Sequence, residues 1–289
     1  MWTENHHVLR DCGCGLRYIE PMPGPTDVDQ TIDHHTPGYY RYPAHVRAAF
    51  VQRLKPGGRL LEVGCGDGSF LRAAHDHGLS VSGLEADPSR AYLAAKATGF
   101  TIESGFVEDA APTPEPFDVV FHVDLLSHFP DPVRSLRAMT AQLGDGGVLC
   151  LEVGIMSGMS PQWYRWMGGV GIPWHRALYS EDAVRATLAK ADLEVVDVQR
   201  FSLLAAMLLG RMRRLLRTLA GRGRDYTVEV DRSGDTSWLL RASDWIEYVL
   251  RYRVGRYLPR LGPLTVLVAA RPTTGNARSG ELAIVASGP

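Results

Sequence analysis

A glycine-rich segment at residues 60–71 constrains the fold of this chain more than any other feature. It predicts a buried strand over Arg59–Val63, a turn in which Gly64, Gly66 and Gly68 occupy every second position, and then a helix. Glycine permits a tight turn and lets a ligand approach the backbone without a Cβ in the way. The segment predicts an α/β sheet that binds a nucleoside-containing cofactor at the carboxyl end of this strand, although a turn of this kind can also bind nothing.

An acidic residue follows the second predicted strand at a distance that suits cofactor binding. The strand is Ser80–Leu84, and Glu85 comes about 20 residues after the glycine turn, where an acid can accept hydrogen bonds from both ribose hydroxyls. The alternative for Glu85 is a solvated acid at a strand end. Asp87 and Pro88 predict the cap and first turn of the next helix. A dinucleotide site is disfavoured, because Ser69 stands where the third glycine of that pattern would be.

Strand-like and helix-like stretches alternate from about residue 46 to residue 200, which is typical of a parallel sheet covered on both faces. Roughly sixty residues then separate a strand at Leu193–Val198 from a last strand at Leu264–Ala270, too many for a structureless loop. The predicted fold class is a doubly wound, mostly parallel, seven-stranded Rossmann-like α/β sheet with a helical insertion before the last strand. The other predicted strands are Thr101–Ser104, Asp118–Val123 and Val148–Val153, and the predicted helices are Ser69–His77, Pro88–Thr98, Pro132–Leu143, Ser180–Ala191, Leu203–Leu219 and Ser237–Tyr257.

The predicted domain organisation has five parts. They are an amino-terminal segment at 1–45, the core at 46–200, the insertion at 201–262, the final core strand at 263–272 and a flexible tail at 273–289. The insertion has three competing roles: it caps the active site, it forms a dimer surface, or its basic face rests on a membrane or binds an anionic substrate. A basic face is usually only a solvated face. The arginines concerned are Arg211, Arg213, Arg214 and Arg217.

Composition disfavours several broad classes of protein. The 31 basic and 32 acidic residues nearly cancel, so no global field attracts nucleic acid. A hydrophobic share of 45% and a charged share of 22% describe an ordinary soluble protein. No apolar run approaches the roughly 20 residues that a membrane span requires. Four cysteines without an even framework, and without a signal peptide, predict a reducing compartment, which is the cytoplasm by default.

Motifs in sequence order resemble those of the class I S-adenosylmethionine (SAM)-dependent methyltransferases. The pattern E-x-G-x-G-x-G at residues 62–68 resembles the first motif of that family. Phe117–Pro132 resembles its fourth strand and following loop, Leu143–Leu149 the turn before its fifth strand, and Trp174–Ser180 the segment leading into the next helix. Together these motifs cover roughly residues 40–200, which is far more specific than any one motif.

The resemblance implies SAM as cofactor and S-adenosylhomocysteine as the second product. Phe106 stands where many members carry an acid that meets the adenine amine, so backbone and apolar contacts around Phe106 and Val107 are expected to hold adenine. Glu108 or Asp109 is a less favoured substitute. No acidic cluster of the kind that holds a catalytic divalent cation is visible, and no catalytic metal is expected. The expected cofactor-binding residues are Glu62, Gly64, Cys65, Gly66, Gly68, Glu85, Ala86, Phe106, Val107 and Asp124.

Two histidines are candidates for a catalytic base. Methyl transfer from SAM is a direct displacement, so the protein must align the reacting atoms and exclude water, and a hydroxyl or acidic carbon acceptor must also lose a proton. Histidine titrates near neutrality and suits that task. His128, in the loop after the fourth core strand, is the first candidate, and His175 is the second. Each could instead be structural, and His122 is expected to be a packed strand residue.

The amino-terminal segment resembles the second half of a small zinc-binding segment found ahead of some methyltransferases. Cys12 and Cys14 provide one pair of cysteines, and the further upstream pair is absent. His6 and His7 could complete four ligands, but a C-x-C pair grips zinc less well than C-x-x-C, so a degenerate remnant is favoured. The run Tyr39–Tyr42 either forms a lid over the cofactor or packs against the first helix.

The predicted function is SAM-dependent methyl transfer to oxygen or carbon of a small organic acceptor, as in secondary metabolism. One alternative is methylation of a lipid-linked or sugar-linked substrate at a membrane surface. Another is a binding module that keeps the fold and has lost methyl transfer, which Ser127 supports because the family commonly has an acid at its position. The expected partner is the small-molecule acceptor; a homodimer is the further alternative, and nucleic acid is not expected.

Overall fold

The computed structural model describes residues 2–4, 7–21, 41–160, 163, 175–205, 208, 212, 242, 245–246, 248–258 and 262–273. Outside them lie His6, Tyr39 and Tyr40, Trp174, the four arginines of the basic face, most of the two predicted insertion helices and the tail beyond residue 273. The strands are β1 (Trp2–Glu4), β2 (His7–Asp11), β3 (Leu16–Glu20), β4 (Arg59–Val63), β5 (Ser80–Glu85), β6 (Thr101–Ser104), β7 (Phe117–Val123), β8 (Leu143–Ile155), β9 (Ala177–Tyr179), β10 (Leu193–Ser202) and β11 (Leu264–Pro272). The α-helices are α1 (Arg41–Leu54), α2 (Ser69–Asp76), α3 (Pro88–Thr98), α4 (Pro132–Thr140) and α5 (Glu181–Lys190).

Seven strands form the core of the sheet, in the spatial order β6-β5-β4-β7-β8-β11-β10. The five strands from β6 to β8 are parallel, whereas β11 pairs antiparallel with both β8 and β10. The predicted doubly wound, mostly parallel sheet is therefore confirmed. The chain proceeds from β4 through β5 to β6 on one side and then returns to β7 on the other. Ligands of open α/β sheets bind at the carboxyl ends of the strands where the order reverses, which here is between β4 and β7.

Both faces of the core strands are buried under helices. On one face, Leu61 and Val120 belong to an apolar cluster that includes residues of α4 and α5. On the other face, Leu60 and Phe121 pack with residues of α1 and α2, and Phe70 of α2 stacks on Phe121 with ring centroids 4.1 Å apart. Consecutive residues of a strand thus serve opposite layers, which explains why these strands are continuous apolar runs in the sequence.

The start of α3 is capped as the sequence predicts. The Asp87 carboxylate accepts hydrogen bonds from the backbone N–H groups of Ser89 at 2.7 Å and Arg90 at 3.1 Å, and Pro88 occupies the first helical position. An aspartate at this position satisfies N–H groups that have no partner inside the helix. The cap fixes the path of the chain directly after Glu85.

Four short strands extend the sheet beyond the predicted seven. β1, β2 and β3 pair antiparallel in sequence order, β3 pairs with β9, and β9 joins β8 through Tyr179 and Ile155. Ile19 and Leu178 are buried where these strands meet. The sheet therefore has eleven strands, and α1 runs across the boundary predicted at residue 45. Strands this short carry too little alternation to be recognised from sequence.

The cysteines differ from the expectation that they form no disulfide framework. Cys12 and Cys14 are joined by a disulfide, with Cα atoms 5.3 Å apart, because the turn between β2 and β3 brings them together. Cys65 and Cys150 are free and buried. Within the described part of the chain, no group of three or more His, Cys, Asp or Glu side chains is arranged to hold a metal ion.

The insertion returns to the sheet through a segment that differs from the regular helix predicted over Ser237–Tyr257. Val249–Val254 forms a π-helix and Gly255–Tyr257 a 3₁₀ turn. Gly255 lies so close to β10 that a Cβ there would be 2.6 Å from the Ser202 carbonyl oxygen. As far as the structure describes the chain, none of its helices has the length and apolar character needed to cross a membrane.

Candidate cofactor and acceptor site

The glycine turn after β4 has a backbone that favours glycine at three positions. Gly64, Gly66 and Gly68 have φ values of 70°, 55° and 74°, in the left-handed region. A Cβ at Gly64 would lie 2.6 Å from the Leu125 side chain, and one at Gly68 would lie 2.7 Å from the Thr98 side chain. The turn is thus both conformationally and sterically specified. It lies at the edge of the sheet where the strand order reverses.

Glu85, at the end of β5, is held against the glycine turn. Its Oε2 accepts a hydrogen bond from the Gly66 N–H at 2.9 Å, and its Oε1 accepts one from the Asp87 N–H at 3.3 Å. The side chain is buried, and Ala86 beside it is half-buried. An ionised carboxylate has about four acceptor sites, so these two bonds leave capacity for further donors such as ribose hydroxyls.

Glu62 supplies a buried oxygen beside the same turn. Among the described residues, its Oε2 has no hydrogen-bond partner. Burial raises the pKa of Glu62 well above its usual range, and the nearby positive charge of Arg47 opposes that shift only in part. A buried polar atom needs a partner. An ammonium group such as that of SAM would supply one, so this orphaned oxygen and the glycine turn fit that cofactor.

Phe106 and Val107, after β6, have opposite environments. Phe106 is 55% exposed, whereas Val107 is buried in the core. The N–H of Gly105 donates to the Glu85 carbonyl oxygen at 3.0 Å, so Phe106 follows directly from a residue bonded to the end of β5. Glu108, the less favoured substitute, is hydrogen-bonded to the hydroxyl of Ser135 on α4. The exposed aromatic ring of Phe106, one residue beyond this hydrogen bond, offers an apolar face to a nucleobase.

Two titratable side chains near the site are packed into the core. The Cys65 thiol points toward Gly83, where an added Cβ would lie 2.8 Å from the sulfur. Burial raises the pKa of this thiol. The backbone of Cys65, and not its sulfur, therefore borders the turn. His122 on β7 is fully buried, edge-on to Phe129 with ring centroids 6.0 Å apart. Burial lowers the pKa of His122 to about 3, so its ring is neutral. The prediction of a packed strand residue is confirmed.

Asp124 marks the point where β7 ends beside β8. Its φ of 54° lies in the left-handed region, which aspartate tolerates better than most residues. Its N–H donates to the Glu152 carbonyl oxygen at 2.8 Å, and its carbonyl accepts from the Ser127 hydroxyl at 3.0 Å. Burial and the charge of Glu152 raise the pKa of Asp124, while Arg251, His175 and Arg47 act in the opposite direction. Asp124 therefore lies within the electrostatic field of the candidate base His175.

The two candidate catalytic histidines meet in space. The rings of His128 and His175 lie edge to face with their centroids 4.8 Å apart, and both side chains are half-buried. The Arg176 N–H donates to the Ser127 carbonyl oxygen at 2.7 Å, which joins the two loops next to the histidines. The structure thus assembles one histidine pair from loops after two different strands, beyond the carboxyl end of β7.

A buried ionic cluster beside the site was not anticipated from the sequence. The Glu152 carboxylate on β8 accepts two hydrogen bonds from Arg47 of α1, at 2.8 and 2.9 Å, and one from Arg251 at 2.6 Å. The Tyr252 hydroxyl lies 3.2 Å from the same carboxylate, and Arg251 also donates to the Thr265 hydroxyl at 2.9 Å. Burial alone would raise the pKa of Glu152, but the two arginines lower it to about 2. The only sequence signal was an acid inside the apolar run of β8.

Comparison with known families identifies the class of protein. A family model described as a methyltransferase domain matches residues 32–198, which is more than half of the chain. The chain belongs to this family, and its seven-stranded core and glycine turn are those of a class I SAM-dependent methyltransferase. SAM is accordingly its cofactor. The positions assigned from sequence to cofactor and catalysis lie around one edge of the sheet, and their individual roles remain predictions.

Curated relatives make the likeness more specific. Over 154 residues the chain is 30% identical to a ubiquinone biosynthesis O-methyltransferase of Cereibacter sphaeroides, covering 49% of this chain and 62% of the relative. It is 35% identical over 105 residues to the protein of the same name from Xanthomonas campestris, covering 34% of this chain and 43% of the relative. The chain therefore spans about half the length of the curated relatives it matches.

Solved structures share the fold at low sequence identity. The [4+2]-cyclase SpnF superposes with a TM-score of 0.52 at 21% identity, covering 81% of each chain. An N-methyltransferase from Haemonchus contortus, in complex with phosphomonomethylethanolamine and S-adenosylhomocysteine, superposes with a TM-score of 0.50 at 16% identity, covering 79% of this chain and 52% of that one. Because a fold can host several reactions, these two likenesses speak to the fold alone.

Proposed function

We propose that this methyltransferase transfers the methyl group of SAM to a hydroxyl oxygen of a small organic acceptor, with His128 as the base. The observation that carries the proposal is the pairing of His128 with His175, whose ring centroids lie 4.8 Å apart. A single loop histidine is often structural. Two histidines brought together from separate loops, half-buried at the ligand-binding edge of the sheet, are better explained by proton transfer to and from a ligand.

The cofactor side of the site has one role for each predicted group. When bound, SAM supplies a methyl group activated by its positively charged sulfur. Glu85 accepts hydrogen bonds from the ribose hydroxyls, and the glycine turn lets the cofactor approach the backbone. Glu62 pairs with the ammonium group, and the Phe106 ring packs on adenine. These groups hold the cofactor in place and leave the acceptor to be positioned from the other side of β4.

The acceptor side supplies proton transfer and orientation. His128, as a neutral imidazole, would accept the proton of the acceptor hydroxyl and so make its oxygen nucleophilic toward the methyl group that SAM would supply. Asp124 lies within electrostatic range of His175, so a negative charge there stabilises a positive charge on the histidine pair. An in-line displacement would require the acceptor to sit between this pair and the cofactor, in a position closed to water.

Oxygen is the preferred acceptor atom because both curated relatives are named O-methyltransferases. A hydroxyl is a poor nucleophile until its proton is removed, which matches a site with a histidine base. An acidic carbon makes the same demand and is the second candidate. The relatives' names place them in ubiquinone biosynthesis, so hydroxylated aromatic compounds are the first class of acceptor to try.

An acceptor carried on a lipid is the alternative that a specific observation favours. Residues of the insertion expose large apolar side chains, with Tyr257 at 78% and Trp245 at 51% exposed, while Arg256 stacks over Tyr257. Aromatic and basic side chains together are typical of surfaces that touch lipid headgroups. Co-sedimentation with anionic vesicles that is lost in Tyr257→Ser would favour this alternative, whereas no co-sedimentation favours a freely diffusing acceptor.

The test separates cofactor binding from turnover. His128→Asn and His175→Asn are compared with His75→Asn, an exposed histidine of α2 that contacts only the Phe100 ring among described aromatic residues. S-adenosylhomocysteine release is measured with a panel of phenols, catechols and hydroxy acids. Loss of a general base lowers turnover by about 10²- to 10⁴-fold, with SAM affinity retained. Unchanged turnover in His128→Asn would remove that residue from the mechanism, and no turnover with any acceptor by wild-type protein that binds SAM would favour a non-catalytic role.

A further inference from the structure

The buried ionic cluster described above consists of Arg47, Glu152, Arg251 and Tyr252. The side chains of Arg47 and Glu152 are 3% and 0% exposed, and that of Arg251 is 17% exposed. Among the described residues, the Nε of Arg251 is buried without a hydrogen-bond partner. Taking charges out of water costs so much that a buried ion pair is weak evidence for stabilisation, and an unpaired donor adds to the cost. The cluster is therefore better explained by what it positions.

The segment that the cluster holds is the return arm, defined as residues 248–258, which follows the insertion. Arg251 and Tyr252 form hydrogen bonds with the Glu152 carboxylate. The Tyr252 ring packs on the Phe201 ring of β10, with centroids 4.9 Å apart. The ring centroid of Tyr248 lies 5.5 Å from that of Tyr42 on α1. The π-helical geometry of the return arm is rare and is frequent at functional sites. The return arm is thus fixed to the sheet and to α1 at the same place.

A continuous path of contacts leads from the return arm to the cofactor side. Glu152 receives Arg251 on its side chain and the Asp124 N–H on its carbonyl oxygen, at 2.8 Å. Leu125 follows Asp124, and its side chain fills the space into which a Cβ on Gly64 would project, 2.6 Å away. A shift of the return arm relative to β8 therefore reaches the end of β7, which carries Asp124 and leads to His128, through Glu152.

We propose that Arg251 is a positioning residue: by docking on Glu152 it fixes the return arm as the wall of the acceptor pocket, next to the end of β7. The inference rests on the proposed function, because it assigns the return arm to the acceptor side of that site. The hydrogen bonds of Arg251 described above are to Glu152 and Thr265, and it acts on the site through Glu152 and Asp124. Arg47 holds the same carboxylate from α1, so α1 and the return arm share one anchor.

The experiment measures hydrogen–deuterium exchange of the whole chain by mass spectrometry, with and without S-adenosylhomocysteine. Arg251→Met removes the guanidinium and keeps an unbranched apolar stem. Arg253→Met is the matched control, because Arg253 lies in the same arm, is exposed and contacts the Tyr248 side chain instead of Glu152. Arg251→Lys keeps the charge without the planar fork and serves as the conservative variant.

Loss of docking should show chiefly as faster exchange in the return arm. We expect peptides covering residues 248–258 to exchange at least about tenfold faster in Arg251→Met, with Arg251→Lys in between and Arg253→Met like wild type. Peptides of β4 and β5 should be unchanged, which shows that the variant is folded. Equal exchange of the return arm in Arg251→Met and Arg253→Met would overturn the proposal.

The ligand arm of the experiment distinguishes this inference from the proposed function. In wild type, S-adenosylhomocysteine should slow exchange of the return arm, and in Arg251→Met it should bind with similar affinity and leave the arm unprotected. If S-adenosylhomocysteine binds wild type without slowing exchange of the return arm, the cofactor site and the arm are not coupled. That result would contradict the inference. No binding to folded wild type would instead contradict the proposed function, and the comparison of the two arginine variants without ligand would still decide the docking.

A split between kinetic constants provides the second readout, once an acceptor from the phenol and catechol panel turns over. Arg251→Met should raise KM for the acceptor about tenfold while KM for SAM changes little, because a displaced wall weakens acceptor positioning. Arg251→Lys should restore part of that loss. Equal changes in both KM values would indicate a general structural defect and would contradict the positioning role.

Discussion

The two halves of the site are built in different ways. The proposed cofactor half, β4 to β6 with the glycine turn, takes its groups from residues 62–107 in one continuous stretch, and they are the backbone of the turn, one aromatic ring and two acids. The proposed acceptor half takes its groups from residues 47, 125–128, 152, 175 and 251, which are spread over most of the chain, and Asp124, predicted from sequence to bind the cofactor, lies where the two halves meet. The acceptor half relies on charged side chains buried together.

That contrast has an energetic consequence. Glycines in the left-handed region hold their turn because of local backbone geometry, so the cofactor half depends little on distant parts of the chain. In the acceptor half, each charge is tolerated only because its partner comes from another element. The cofactor half should therefore bind its ligand with little change in shape, and the acceptor half should depend on α1, β8 and the return arm being in place together.

The largest effect on stability is expected at Glu152, whose removal tests whether the acceptor half depends on buried charge pairs. Glu152→Gln leaves Arg47 and Arg251 without a compensating charge and should lower the free energy of unfolding by about 3–5 kcal/mol. The control is Glu194→Gln on β10, which removes the partner of Arg271 in a pair whose side chains are 56% and 60% exposed. That pair should be worth about 0–1 kcal/mol. Urea denaturation measures both, and equal losses would contradict the contrast between the halves.

A smaller effect is expected at the glycine turn, which sharpens the claim that the cofactor half is set locally. Gly64 and Gly57 both have a φ of 70°, so alanine should cost each about 1–3 kcal/mol of backbone strain. A Cβ at Gly57 meets nothing within 4 Å, whereas one at Gly64 meets Leu125. Gly64→Ala should weaken SAM binding at least about tenfold and Gly57→Ala should leave it unchanged. Calorimetric titration measures the affinity for SAM, and an equal loss of affinity in both variants would contradict a specific role for the glycine turn.

The smallest effect is expected at Phe106, which tests how adenine is held. Phe106→Leu keeps an apolar side chain and removes the aromatic face, and should weaken SAM binding by about 0.5–1.5 kcal/mol, or roughly two- to tenfold. Tyr92→Leu, an exposed aromatic of α3, is the control and should change nothing. A loss in Phe106→Leu no larger than in the control would return Glu108 and Asp109 to consideration.

The difference between the halves also explains what the sequence could predict. The core strands, the cap of α3, the glycine turn and Glu85 are specified by neighbouring residues, and periodicity or spacing is enough to find them. The sequence predicted that His128 and His175 could face the same edge of the sheet, but not that their rings are in contact. Their contact depends on the path of two loops, which no local pattern encodes.

The missed features are those that need tertiary partners. Glu152 lies in an apolar strand, where burying a carboxylate is unfavourable. Arg47 and Arg251, from other elements, compensate its charge. The strands β1 to β3 and β9 are three to five residues long and become ordered against one another, so their alternation is too short to recognise. The disulfide between Cys12 and Cys14 follows from the turn that β2 and β3 create, and cysteine spacing did not reveal it.

The most direct test of the site is calorimetric titration of wild type, Glu85→Ala and Glu103→Ala with SAM and with S-adenosylhomocysteine. Glu85 is buried against the glycine turn, while Glu103 is exposed on the neighbouring strand β6. The expected result is micromolar binding by wild type and Glu103→Ala, and binding at least about tenfold weaker by Glu85→Ala, because both ribose hydroxyls lose their acceptor. Equal affinity in all three proteins, or no binding by folded wild type, would contradict the assignment of this edge of the sheet to the cofactor.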